Sequence, residues 1–150
     1  MSEECLLYGC IEGPNAVLLW KGQIWRELWK RNVQSIQALP DSDQSPPLTR
    51  WMFCVPTPDR YQDLYRVQAI PFAASVNHMS DLWPEWLDKF EGLLRRLYWQ
   101  AAHVRLSIEL HGEFQYLWKA DPSPYRQWRE EPLAPVGTWT FSGGPREFSS

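Results

Sequence analysis

The sequence is poor in the residues that most often carry chemistry. It holds three histidines and three cysteines among 150 residues. Cys5, Cys10 and Cys54 are odd in number and contain no C-x-x-C pair. Both a disulfide framework and a cysteine zinc site are therefore disfavoured. Cys10 and Cys54 sit inside apolar runs, where a free thiol behaves as a small hydrophobe. Positive charge is not in excess either: 15 Lys and Arg stand against 18 Asp and Glu, a net of -3. The cationic stripe that grips a nucleic-acid backbone is thus not expected. No apolar run approaches the roughly 18 residues of a membrane span. Met1-Ser2-Glu3-Glu4 lacks the basic start of a secretory signal. These absences lead to the expectation of a soluble, cytoplasmic protein in a reduced compartment, with no cofactor, no metal, no membrane and no nucleic acid to bind.

Several reaction motifs are missing as well. There is no His-hydrophobic-His pair of the kind that single-strand nucleases of the relaxase type place on a central strand. Glu12-Gly13-Pro14-Asn15 presents a carboxylate where an acylphosphatase needs a glycine-rich anion loop and an arginine. No phosphate-binding glycine motif or G-x-S-x-G elbow occurs. RNA-recognition domains need exposed aromatics with basic neighbours on central strands. Trp51 and Phe53 after Arg50 offer a fragment of that pattern, but within an acidic chain. No set of catalytic residues is expected.

What the sequence does have is 13 prolines and 10 tryptophans. The prolines fall outside the periodic segments and punctuate them. The tryptophans are harder to place, since Trp is seldom fully buried and is enriched at interfaces. Cys5–Ile11 is short, apolar on both faces and closed by a turn signal, as a central strand is. A helix is predicted from about 21 to 38, with Trp25, Leu28, Trp29, Ile36 and Leu39 on one face and Gln23, Glu27, Lys30, Gln34 and Gln37 opposite. Residues 15–20 fit either a helix extension or an extended segment. Trp51–Val55 reads as a second strand and Tyr65–Val76 as a third, with Pro71 marking a bulge, a break or an edge.

The clearest stretch runs from Ser80 to His111. A helix capped near Ser80 or Asp81, with Pro84 in its first turn, continues to Ala102. Trp83, Trp86, Leu87, Phe90, Leu93, Leu94, Leu97 and Ala101 form its apolar stripe, with Glu91 on the polar side. Val104, Leu106, Ile108 and Leu110 then alternate with outward His103, Arg105, Ser107, Glu109 and His111. Gly112-Glu113 turns the chain into a strand over Phe114–Trp118.

This order predicts an α+β fold: a ferredoxin-like β-α-β-β-α-β antiparallel sheet with two helices on one face, plus an extra C-terminal strand and an irregular Pro-rich segment. Residues 1–142 are expected to form a single α+β domain, and 143–150 a flexible tail.

The site candidates follow from residue type. His103 and His111 lie about 26 Å apart at ordinary strand rise and cannot share an ion. Glu109 with His111 would make only half a metal site. His78, Asp81 and Ser75 bracket a strand-to-helix loop, though nothing in their spacing makes them converge. Trp25, Trp29, Trp83 and Trp86 belong to apolar stripes and read as core. Trp99 falls opposite its helix's stripe with Arg95 one turn earlier, a cation–π pair of the composition found at interface hot spots. The competing reading has Tyr125 or Trp128 fold back over Trp99. Tyr125 and Trp128, flanked by Arg126 and Arg129, are a second contact candidate. The sequence therefore points to a non-enzymatic recognition domain, of inhibitor, immunity-type, adaptor or chaperone character, binding a protein partner through Trp99, Arg95, Tyr125 and Trp128. A homo-oligomer is compatible with such surfaces. The alternative is a small-ligand-binding or catalytic domain whose pocket, between the sheet's non-helical face and the C-terminal segment, is lined by Trp51, Trp118, Trp139, Glu109 and His111.

Overall fold

Strands form where alternation lets one row of side chains face the helices and the other face water. In the computed structural model, which describes residues 3–15, 22–42, 46–55, 67–120, 135 and 137–148, this alternation is plain. Ala102, Val104, Leu106 and Ile108 are buried while His103 and Arg105 between them are exposed. The elements are β1 (Glu4–Asn15), α1 (Gly22–Gln37), a 3-10 turn (Arg50–Met52), β2 (Val67–Asn77), α2 (Met79–Leu94), β3 (Ala101–Ile108), β4 (Gly112–Ala120) and β5 (Trp139–Gly143). The expectations for residues 16–20, for the Trp25 side chain, and for Tyr125 and Trp128 fall outside the described residues.

The chain is α+β. Among the described residues five strands make one antiparallel sheet in the order β2-β1-β3-β4-β5. Since β1 pairs antiparallel with both β2 and β3, those two run parallel to each other, and α2 is the crossover that joins them. Leu28, Trp29 and Ile36 of α1 share one buried cluster with the α2 stripe and with the inward rows of the sheet. Leu6, Ala73, His103 and Gln115 on the opposite face of the sheet remain exposed.

The core is largely a layer of rings. Trp83, Trp86 and Phe90 stack in succession along α2, with centroids 5.1 and 5.0 Å apart. Phe72 of β2 lies 5.4 Å from Phe90, Tyr116 of β4 lies 5.0 Å from Trp83, and Trp118 lies 5.1 Å from Phe90. Such tilted and offset pairs add to simple area burial. Gly9 leaves the space this layer needs: a Cβ there would stand 2.7 Å from the Phe72 ring and 2.2 Å from the His103 carbonyl oxygen.

Several sequence expectations are corrected. Trp51–Val55 is not a strand but a 3-10 turn followed by a single bridge, Phe53 to Phe72. Prolines flank this segment, and Pro71 faces it. Pro71 accepts from the Cys54 amide at 2.8 Å, so its own missing N–H also points to the outer edge and no donor is available there to extend the pairing. The second helix stops at Leu94 instead of reaching Ala102, and Pro84 lies in its second turn. Leu110 does not face inward: the hairpin Glu109-Leu110-His111 leaves it 99% exposed, at φ 72. Glu91 is buried against Trp118 and Arg146. Residues 143–148 are tied down by side chains of α2 and β4, where a free tail is expected.

Candidate functional site

The Trp99 surface does not exist. Because α2 ends early, Trp99 lies in the connector to β3, fully buried, with its indole Nε1 donating to the Leu94 carbonyl at 2.8 Å. Trp139 of β5 packs 6.0 Å from it, so a ring of the C-terminal segment covers Trp99. Arg95 is exposed, and its guanidinium sits 4.8 Å from the centroid of Trp139. Both residues contribute to holding β5 against the end of α2.

The residues of the aromatic pocket are not brought together. Trp118 is buried on the helix-covered face, where its Nε1 donates to Glu91 Oε2 at 2.9 Å. Trp139 is half-buried beside Trp99, while Trp51 lies beyond β2, at the other side of the sheet. Glu109 and His111 belong to the β3–β4 hairpin. There Glu109 accepts from the Glu4 amide at 3.2 Å, and His111 Nε2 lies 3.5 Å from Glu3 Oε2. His78, Asp81 and Ser75 are all exposed, and among the described residues no hydrogen bond joins them. No group of three or more His, Cys, Asp or Glu residues that could hold a metal ion occurs among the described residues.

Two polar clusters are built into the fold. Glu3 acts as the cap of α2 from outside the helix. His78 takes the N-cap position in left-handed geometry and offers no side-chain bond. Glu3 Oε1 instead accepts from the Ser80 hydroxyl at 2.7 Å and the Ser80 amide at 3.4 Å, supplying the acceptor that a capping side chain normally provides. Burial alone would raise the Glu3 carboxyl. The bonds from Ser80, a contact from the Cys5 thiol and the nearby His111 bring it below the ordinary glutamate range. The second cluster joins Glu91 to Trp118 and to both terminal nitrogens of Arg146, at 3.2 and 2.5 Å. Beside it, Tyr116 donates to the Pro145 carbonyl at 2.6 Å, and burial pushes its hydroxyl up to about 12, so it stays protonated.

Cys5 and Cys10 are poor nucleophiles. Burial, with Glu12 nearby, pushes the Cys10 thiol up, and burial pushes Cys5 up as well. A protonated thiol attacks poorly.

An outward tryptophan beside an arginine is nevertheless present, at a place that the strand prediction hid. Trp51 is 72% exposed. The Arg50 guanidinium lies 4.9 Å from its ring centroid and is held by an ion pair with Asp41. The Arg50 amide donates to the Pro40 carbonyl at 3.3 Å, which ties the turn to the segment after α1. Beneath it, Met52 and Phe53 are buried, and Phe53 packs 5.2 Å from Phe72. The exposed ring thus stands on a turn anchored from both sides. The available signal was Arg50-Trp51 itself, between Pro47 and Pro56 in segments too short to make a paired strand.

No family model, curated protein or solved structure matches this chain.

Proposed function

We propose that the chain is a non-enzymatic recognition domain that binds a protein partner, and that Trp51 and Arg50 form the centre of its contact surface. The observation that carries this reading is the 72% exposure of Trp51 beneath a guanidinium already fixed by Asp41. A large ring held in place before binding loses little side-chain freedom on contact, and Trp and Arg dominate interface hot spots. Most other described tryptophans serve the core, so exposure at this position is not a general property of a Trp-rich chain. The architecture is read as ferredoxin-like, with residues 51–55 standing in the place of a strand outside β2 and with β4 and β5 added at the opposite edge. That fold hosts many functions, and the assignment rests on the surface alone. Inhibitor, immunity-type, adaptor and chaperone roles all use such a contact, and a cytoplasmic setting agrees with the free cysteines.

Affinity purification from the organism of origin, comparing wild type with Trp51→Ala and Arg50→Ala, tests this. Both variants should retain the wild-type melting temperature, and Trp51→Ala should lose a specific co-purifying protein by roughly tenfold or more, as expected for a hot-spot ring. Equal recovery by wild type and a folded Trp51→Ala variant would overturn the assignment.

A further inference from the structure

The open face of the sheet carries a groove along β3, β4 and β5, with a volume of about 490 Å³. His103, Arg105, Gln115, Leu117 and Ser142 line it, and Gly143 closes one end. Strand pairing places these side chains in two adjacent rows. Arg105 stands between Tyr8 and Gln115, and His103 between Cys10 and Leu117, with Ser142 next to Leu117. His103 and Arg105 are two residues apart on one strand, so they project to the same side about 7 Å from each other. Gly143 has φ 106, and a Cβ on it would stand 2.2 Å from the Gln115 carbonyl oxygen. Only glycine lets β5 press this closely on β4 at the groove's end.

The charge of the groove is unspent. Arg31, Arg50 and Arg146 each have a carboxylate partner. Arg105 and His103 are exposed, and among the described residues neither side chain has a hydrogen-bond or ion-pair partner. Glu113 lines the adjoining depression with Tyr8, Arg105, Ser107 and Gln115, and makes no ion pair with Arg105. A planar guanidinium fork, an imidazole, an amide and a hydroxyl therefore converge on one concavity in a protein whose net charge is -3.

We propose that this groove binds a small anion bearing a carboxylate or phosphate group. Arg105 is the charged donor, His103, Gln115 and Ser142 supply further hydrogen bonds, and Leu117 forms the apolar floor. The site lies on the opposite side of β1 from Trp51 and depends on neither that surface nor its test.

Titration of the full chain with inorganic phosphate and, separately, with acetate, at constant ionic strength and followed by amide and side-chain NMR shifts, decides the matter. Saturable shifts centred on His103, Arg105, Gln115 and Ser142 are expected with at least one probe, and the tighter probe assigns the phosphate or carboxylate class. Arg105→Gln should weaken binding roughly tenfold or more, the loss of a charge-assisted contact. Lys119→Gln, which removes another exposed cation from the same face, should leave it unchanged. Shifts that never saturate, that spread over all surface cations, or that fall equally in Lys119→Gln overturn the proposal.

Discussion

Asn32 fixes the point at which a helix becomes a strand. It is buried in α1, where its Nδ2 donates to the Tyr98 carbonyl at 2.9 Å and its Oδ1 accepts from the Tyr98 amide at 2.8 Å. The backbone of the connector after α2 thus finds both of its partners on another element. Asn32→Leu keeps the volume but leaves a buried N–H and C=O without partners, and each such group costs about 1–3 kcal/mol. The variant should be less stable by about 3 kcal/mol in urea unfolding, and unchanged stability would mean that Asn32 does not hold the connector. At this scale the sequence gives little warning. An asparagine among Lys30, Arg31 and Gln34 looks like part of a solvated face. Its role is set by a residue 66 positions away. The placement of Trp99 fails for the same reason: whether that ring points outward depends on where α2 stops and on how the connector beyond it is held, and Asn32 bonds that connector at Tyr98.

Elements were legible where a buried face imposes a period. The α1 stripe at Leu28, Trp29 and Ile36, the α2 stripe from Trp83 to Leu94, and the alternation of β3 all appear as read, because each needs only one apolar side. Ends were less legible. Leu97 continues the apolar spacing of α2 although the chain has already left the helix, and Trp99, off that stripe, is buried with it in the connector. The start of α2 is likewise decided from a distance, by Glu3. A carboxyl held below its unfolded value stabilises the fold at neutral pH, where both states are ionised. As pH falls, the unfolded state takes up the proton first, so this contribution shrinks and vanishes once the folded value is passed. A capping carboxylate of this kind contributes about 1 kcal/mol. Glu3→Gln should therefore be less stable than wild type by that amount at pH 7, with the difference closing as the pH falls through the ordinary glutamate range and below it. A gap that is constant across this range, measured by urea unfolding, would show that the Glu3 charge does not cap the helix.

At the scale of the whole molecule, the C-terminal stretch completes the structure. The expectation of a loose tail came from Ser142-Gly143-Gly144-Pro145, a composition that ordinarily marks mobile chain. What holds it is spread over two other elements: Glu91 of α2 binds Arg146, Tyr116 of β4 donates to Pro145, and Phe148 packs 4.9 Å from Phe114. Arg146 also lies 4.7 Å from the Phe141 ring, tying this stretch to β5. Local composition cannot report any of these contacts. They bear on stability because the Glu91 side chain is only 11% exposed, so removing Arg146 leaves a largely desolvated carboxylate with Trp118 as its remaining donor. A buried ion pair adds little when intact, but breaking one side of it is costly. Arg146→Ala should therefore cost about 2 kcal/mol, softened by the partial exposure of the arginine. A chain ending at Gly144 loses the Pro145 acceptor and the Phe148 ring as well, for about 3 kcal/mol, which lowers the melting temperature of a domain this size by roughly 10 °C. Restoring the balance by Glu91→Gln in the Arg146→Ala background should recover part of the loss, since the uncompensated charge is gone. If the shortened chain melts with the full one, residues 145–148 are a tail after all, and Glu91 is solvated without them.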